Sequence, residues 1–238
     1  MQALQNIQAI SLDLDDTLWP VWPAIARAEA VLLDWLKVHA PATAGMLGTT
    51  EAVRAIRMQV ERENPAMKHD LSGLRRESIR LALRNAGENP DLAEPAFTLF
   101  FAERQKVNLF EDALPLLEFL SARWPVVALS NGNADVDLIG LGKYFRASLN
   151  VRSTGFAKPD PRMFAAAADT LRVRPEQVLH IGDDAALDVE GALAAGMQAA
   201  WLNRKQAPWP HGEAGRNPHR HTVESLDALR DLLVAAGH

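Results

Sequence analysis

Four short apolar runs, each closing on a polar cluster and separated by stretches of helical periodicity, constrain this 238-residue chain more than any other feature. The runs are IQAISLDL at 7–14, PVVAL at 125–129, VLHI at 178–181 and MQAAWLN from 197. The first three end on Asp13, Asp15 and Asp16, on Ser130, Asn131, Gly132 and Asn133, and on Gly182, Asp183 and Asp184. Apolar runs of this length read as strands buried on both faces. Helical patterns at about 113–123, 134–145, 161–171 and 187–195 supply the right-handed crossovers that join parallel strands. The predicted class is α/β, a doubly wound, Rossmann-like parallel sheet. Ligands collect at the carboxyl ends of the strands in such sheets, where the polar clusters fall.

The interval from Trp19 to Asn108 breaks this rhythm, with four helical patterns (23–39, 50–63, 71–86, 91–106) and no convincing strand. Asp70 is placed to cap the third helix and Gly87 to end it. An insertion of this length reads as a lid-like domain rather than a loop. The expected division is a core of residues 1–18 and 108–238 with an α-helical cap domain at 19–107. Residues 204–221, rich in Pro, Gly, His and Arg, read as a surface loop before a closing helix. His211, His219 and His221 are irregularly spaced and read as solvated rather than as a metal tract.

Composition removes several alternatives. The absence of cysteine excludes disulfides, thiolate catalysis and cysteine-based metal sites, so any metal is held by oxygen or imidazole. A net charge of −5 argues against nucleic-acid and anionic-membrane partners. No apolar run reaches membrane-spanning length, and MQALQNIQAI lacks the pattern of a signal peptide, which makes the cytoplasm the default compartment. Monomer and homodimer both stay open.

Asp13 and Asp15 are two positions apart, so their side chains share a face if strand geometry continues. Two carboxylates in one cleft repel unless a cation stands between them, and a hard, oxygen-loving ion such as Mg²⁺ suits them. The pair also permits a division of labour between nucleophile and proton donor. Ser130 offers a hydroxyl and a backbone N–H where the second run turns, and Lys158 is followed by Pro159 and Pro161, which restrict its backbone. A hydroxyl and an ammonium suit a phosphoryl group. GDDAALD brings Asp183, Asp184 and Asp188 to the same edge, a self-repelling set without a cation.

Asp13-Leu14-Asp15-Asp16-Thr17, then Ser130, then Lys158-Pro159, then Gly182-Asp183 with Asp188 resemble, in order and spacing, the four motifs of the haloacid dehalogenase superfamily. The helical insert resembles that superfamily's cap between its first and second motifs. The resemblance implies an Mg²⁺-dependent phosphomonoesterase in which Asp13 attacks phosphorus to form an aspartyl-phosphate and Asp15 protonates the leaving oxygen, then activates water. Ser130 and Lys158, with Asn131 beside them, would bind the phosphoryl group. The side chains of Asp13 and Asp183 and the backbone carbonyl of Asp15 would hold Mg²⁺, with Asp188 supporting it through water or through the lysine.

Dehalogenases of this kind carry no acid two residues after the nucleophile, because a halide needs no proton, so Asp15 argues for phosphate esters. Phosphonate cleavage also lacks that acid and recruits a cap lysine; Lys37, Lys68 and Lys106 are present, but Asp15 speaks against it. SNGNADVDLIGLGKYF, HIGDDAALDVEGALAAGMQAAW and KHDLSGLRRESI resemble bacterial phosphatases acting on flavin mononucleotide and on the phosphorylated ribitylaminouracil of riboflavin biosynthesis. The expected partner is a small phosphate ester. Sugar phosphates, nucleotides and haloacids remain alternatives. A phospho-aspartate signalling or phosphate-binding protein is a rival of another class, although receiver domains resemble a single domain of about half this size without a cap.

Other candidates are weighed against plainer roles. Arg75 and Arg76 begin a cap helix and are candidates to meet a substrate's phosphate or uracil-like ring, against an exposed helix face beside Glu77. Trp19 and Trp22 flank WPVWP and are candidates for stacking on an aromatic substrate, against packing. Asp16 reads as a turn former, and Asp184 as either a supporting acid or a helix cap.

Overall fold

A computed structural model of the chain describes residues 4, 6–210, 212 and 217–237; His211 lies outside the described residues. The chain divides into two compact units, Val21–Val107 and the residues up to Pro20 joined by those from Asn108 onward.

The first unit is helical: α1 (Val21–His39), α2 (Pro41–Met46), α3 (Thr50–Glu63), α4 (Leu71–Asn85) and α5 (Ala93–Arg104). Leu32 and Leu36 of α1, Ile79 and Leu83 of α4, and Phe97 and Phe100 of α5 meet in its core, each pair three or four residues apart on one helix face. The Asp70 side chain accepts a hydrogen bond from the Gly73 N–H and caps α4. Gly87, at φ 72°, follows its end in the left-handed region that a side chain disfavours.

The second unit holds α6 (Ala113–Ser121), α7 (Val136–Ile139), α8 (Val151–Thr154), α9 (Pro161–Leu171), α10 (Gly191–Ala194) and α11 (Leu226–Ala235). Its strands are β1 (Ala9–Leu12), β2 (Val126–Ser130), β3 (Ala147–Asn150), β4 (Val178–Gly182), β5 (Gln198–Leu202) and β6 (Arg220–Val223). All pair in parallel in the order β3-β2-β1-β4-β5-β6. Every residue of β1, β2, β4 and β5 is buried, as a sheet covered on both faces requires. The chain winds outward from β1 in one direction through β2 and β3, then in the other through β4, β5 and β6, so the switch point lies at β1. Leu12 stands opposite Ala128 and Ile181, which puts Asp13 between the last residues of β2 and β4.

Three local expectations need correction. The pattern at 134–145 yields only the single turn α7 and a 3₁₀ turn at Gly142–Tyr144, because Gly140 at φ 87° stops the helix and the chain proceeds into β3. The end of the 204–221 segment joins the sheet as β6, which buries His221 rather than solvating it. The division between units falls after Pro20: the Asp16 N–H donates to the Trp19 carbonyl at 2.7 Å with Asp16 at φ 61°, so the turn folds back onto the strand end.

Asp112 ties three distant segments of the sheet unit. Its carboxylate accepts two bonds from the Arg204 guanidinium, at 2.9 and 2.8 Å, and one from the Leu226 N–H at 2.9 Å, just inside α11. Burial raises its pKa, but the Arg204 and Leu226 bonds outweigh that and hold it below the ordinary carboxylate value. A depressed folded-state pKa contributes stability above the unfolded value of about 3.9 that is lost as pH falls through the folded one. Asp112→Ala is therefore expected to lose about 1–3 kcal/mol at pH 7. Denaturant titrations from pH 7 to 2 will show the gap to the parent closing below about pH 4; a gap independent of pH would refute the ionic role. Among the described residues no helix is long and apolar enough to cross a membrane.

Candidate active site

Asp13 leaves β1 with its N–H donating to the Ile181 carbonyl at 2.9 Å, so the sheet itself aims the side chain. Its Oδ1 accepts from Lys158 Nζ at 2.5 Å and its Oδ2 from the Thr17 hydroxyl at 3.1 Å. Thr17 also reaches Asp183 Oδ1 at 3.4 Å, linking the first and last polar clusters. Lys158 Nζ lies 2.5 Å from Asp188 Oδ1 as well, and only 3% of its side chain is exposed.

Asp188 arrives through a wide turn, Ala185–Glu190, in which the Val189 N–H donates to the Asp184 carbonyl five residues back. Gly182 ends β4 without a side chain because a Cβ there would collide with the Asp188 carboxylate. Asp188 Oδ2 accepts from the Asp184 N–H at 3.0 Å. The Asp184 carboxylate accepts from the Ala186 and Leu187 N–H groups, so of its two expected roles it takes that of a cap.

Asp13, Asp183 and Asp188 each place a carboxylate oxygen within 4.8 Å of the others. Burial pushes Asp13 up to about 8, with Asp188 and Asp183 adding to the effect and Lys158 opposing it. Burial likewise pushes Asp183 up to about 7, reinforced by Asp188, Asp16 and Asp184. Burial acts on Asp188 in the same sense, but Lys158 and His180 overcome it and hold its carboxyl well below the usual range. Lys158 stays above its ordinary value because Asp13 and Asp188 outweigh its burial. Three carboxylates thus face one ammonium, and the all-oxygen donor set fits a hard divalent cation.

The other expected site residues divide. Ser130, buried at the end of β2, accepts from the Gly132 N–H through its Oγ at 2.9 Å. The Asp15 carboxylate lies outside the three-acid cluster and accepts from Trp19 Nε1 at 2.8 Å. Trp19 is fully buried, so its ring packs and its N–H orients Asp15, and it offers no face for stacking on a substrate. Asn131 spends both ends of its amide on Lys158: its Oδ1 accepts from the Lys158 N–H at 2.7 Å, and its Nδ2 donates to the Lys158 carbonyl at 2.9 Å. Its side chain thus fixes the base of the lysine at the edge of the site. Arg75 belongs to the helical unit, where it pairs with Glu29 at 3.0 Å and lies over the Phe100 ring, 4.4 Å from its centroid. Sequence reasoning gives no role to the side chains of His180 and Thr17, which the structure places in the site; a lone histidine inside the apolar run VLHI, directly before Gly182-Asp183, is the available signal.

This arrangement is that of a hydrolase: residues 7–196 match the haloacid dehalogenase-like hydrolases, and the chain belongs to that family. Among its relatives, the 5-amino-6-(5-phospho-D-ribitylamino)uracil phosphatase YigB of Escherichia coli strain K12 is 36% identical over 203 residues, covering 84% of each chain. A phosphoserine phosphatase of Thermus thermophilus is 36% identical over 136 residues, 55% of each chain. The crystal structure of a 2-haloacid dehalogenase from Pseudomonas syringae pv. tomato DC3000 superposes with a TM-score of 0.87 at 37% identity, covering 96% of this chain and 99% of that one.

Proposed function

We propose that the protein is a Mg²⁺-dependent phosphomonoesterase acting on a small phosphorylated metabolite, with flavin mononucleotide and the phosphorylated ribitylaminouracil of riboflavin biosynthesis as the leading substrates. The observation that carries the reading is the pairing of a buried Asp13, held by Lys158 and Thr17, with a second acid, Asp15, held separately by Trp19. In this reading an Asp13 oxygen attacks phosphorus, the ester P–O bond breaks, and Asp15 gives its proton to the departing oxygen. Asp15 then takes a proton from water as that water attacks the aspartyl-phosphate, which frees phosphate and restores Asp13. Lys158 and the Ser130 hydroxyl bind the phosphoryl oxygens.

Mg²⁺ would be held by the carboxylates of Asp13 and Asp183 and the carbonyl of Asp15, and would neutralise phosphoryl charge. The Asp188 carboxylate, already engaged by Lys158, His180 and the Asp184 N–H, supports that site through the lysine. The helical unit Val21–Val107 takes the role of a substrate-selecting cap in this reading.

The likeness to the Pseudomonas syringae protein supports dehalogenation as a second reading. Asp15 counts against it, since a halide leaves without a proton. The test is a screen of flavin, nucleotide, sugar and ribitylaminouracil phosphates ranked by kcat/KM, run beside 2-haloacids with halide detection. Phosphate release that EDTA abolishes and added Mg²⁺ restores is the expected result. Halide release without phosphatase activity would favour the second reading, and phosphate release indifferent to EDTA would remove the metal.

A further inference from the structure

Beside Asp188 lies a buried histidine that the proposed reaction does not use. His180 is a β4 residue whose partner across the parallel pair is Ser11 of β1. Both are fully buried. Ser11 Oγ stands 2.6 Å from His180 Nδ1, and His180 Nε2 stands 3.1 Å from Asp188 Oδ1. The Phe164 and His180 rings pack in a T-shaped pair, with centroids 5.0 Å apart and planes at 87°, which holds the imidazole plane.

The roles of the ring nitrogens follow from what faces them. Asp188 Oδ1 also accepts from the Lys158 ammonium, and an ionised carboxylate only accepts, so Nε2 must carry a hydrogen to bond to it. The Ser11 hydroxyl, the partner of Nδ1, can donate and so leaves the proton on Nε2. The bonds form one line, from the Ser11 hydroxyl to His180, from His180 to Asp188, and from Lys158 to both Asp188 and Asp13. We propose that His180 is a positioning residue whose Nε2–H fixes the orientation of the Asp188 carboxylate, and through it the placement of the Lys158 ammonium against Asp13. Without that donor the Asp188 carboxylate keeps only the Asp184 N–H on Oδ2 and Lys158 itself on Oδ1, so Oδ1 can shift and draw Lys158 with it, and displacements of about 1 Å at a reacting centre cost on the order of 10²-fold in rate.

The inference rests on Asp13 being the nucleophile, and the experiment keeps the two separable. In His180→Phe, which keeps the ring and removes the donor, kcat on the best phosphate ester should fall roughly 10–100-fold with KM unchanged. In His180→Gln, whose amide Nε2 can still donate, kcat should stay near the parent value. Parent kcat in folded His180→Phe overturns the proposal, as does an equal loss in both variants. Nitrogen-15 spectra of the parent, with the His180 signals assigned by their absence from His180→Gln, give a readout that needs no activity. A protonated Nε2 supports the positioning bond to Asp188, and a bare Nε2 overturns the proposal even where His180→Phe fails to fold. Absence of phosphatase activity in the parent would instead sink the proposed function, with the ring-nitrogen spectrum still deciding the bond.

Discussion

Asp13→Asn is expected to lower kcat for phosphate-ester hydrolysis by on the order of 10⁴-fold or more while the protein stays folded, since removing a nucleophile takes away the step that the rest of the site serves. An amide oxygen is a far poorer nucleophile than a carboxylate, although asparagine matches aspartate in shape. The fold should tolerate the change because the backbone bond from residue 13 to Ile181 is unaffected and Lys158 keeps Asp188. The measurements are steady-state phosphate release and a denaturant titration of the same preparation. A folded Asp13→Asn enzyme that turns over at the parent rate would refute the mechanism.

Lys158→Met should strongly destabilise the sheet unit. Methionine keeps the reach of the lysine stem but leaves the Asp13 and Asp188 side chains, 9% and 2% exposed, without the ammonium 2.5 Å from each. Removing one partner from a buried ionic cluster costs about 3–5 kcal/mol, because the remaining charges stay desolvated and uncompensated. The Asp188→Asn change should therefore cost less in the Lys158→Met background than in the parent, with a coupling energy of about 0.5–3 kcal/mol. Equilibrium unfolding of the parent, both single variants and the double variant measures this directly. Additive losses, or a Lys158→Met protein as stable as the parent, would show that the ion pairs are incidental. Turnover should be lost as well, which separates this residue from purely structural buried charges.

Much of the site is legible along the chain because its parts sit at the ends of apolar runs. The runs announce buried strands, parallel strands end on one edge of the sheet, and polar residues at those ends must meet. Asp13, Ser130 and Asp183 can be assigned to one place on that ground alone, and Lys158 through its motif. The sheet's outer strands are harder to read. β3 and β6 are short and only partly apolar, so periodicity carries little information in them, and Gly140 cuts a helical pattern that continues on paper.

What the chain determines by itself is thus the set of groups that converge and the chemistry they can share, since burial and alternation are encoded locally. What only the tertiary structure decides is which of those groups are free to act and which are spent on holding the others. Asn131 clamps the backbone of Lys158 from 27 positions away, Trp19 turns its indole N–H to Asp15 instead of offering its face, and Ser11 meets His180 across 169 positions. These bonds depend on strand register and on the direction in which each side chain leaves the sheet. Both are set only when β1 docks beside β4, because a shift of one residue would turn Ser11 and His180 to different partners.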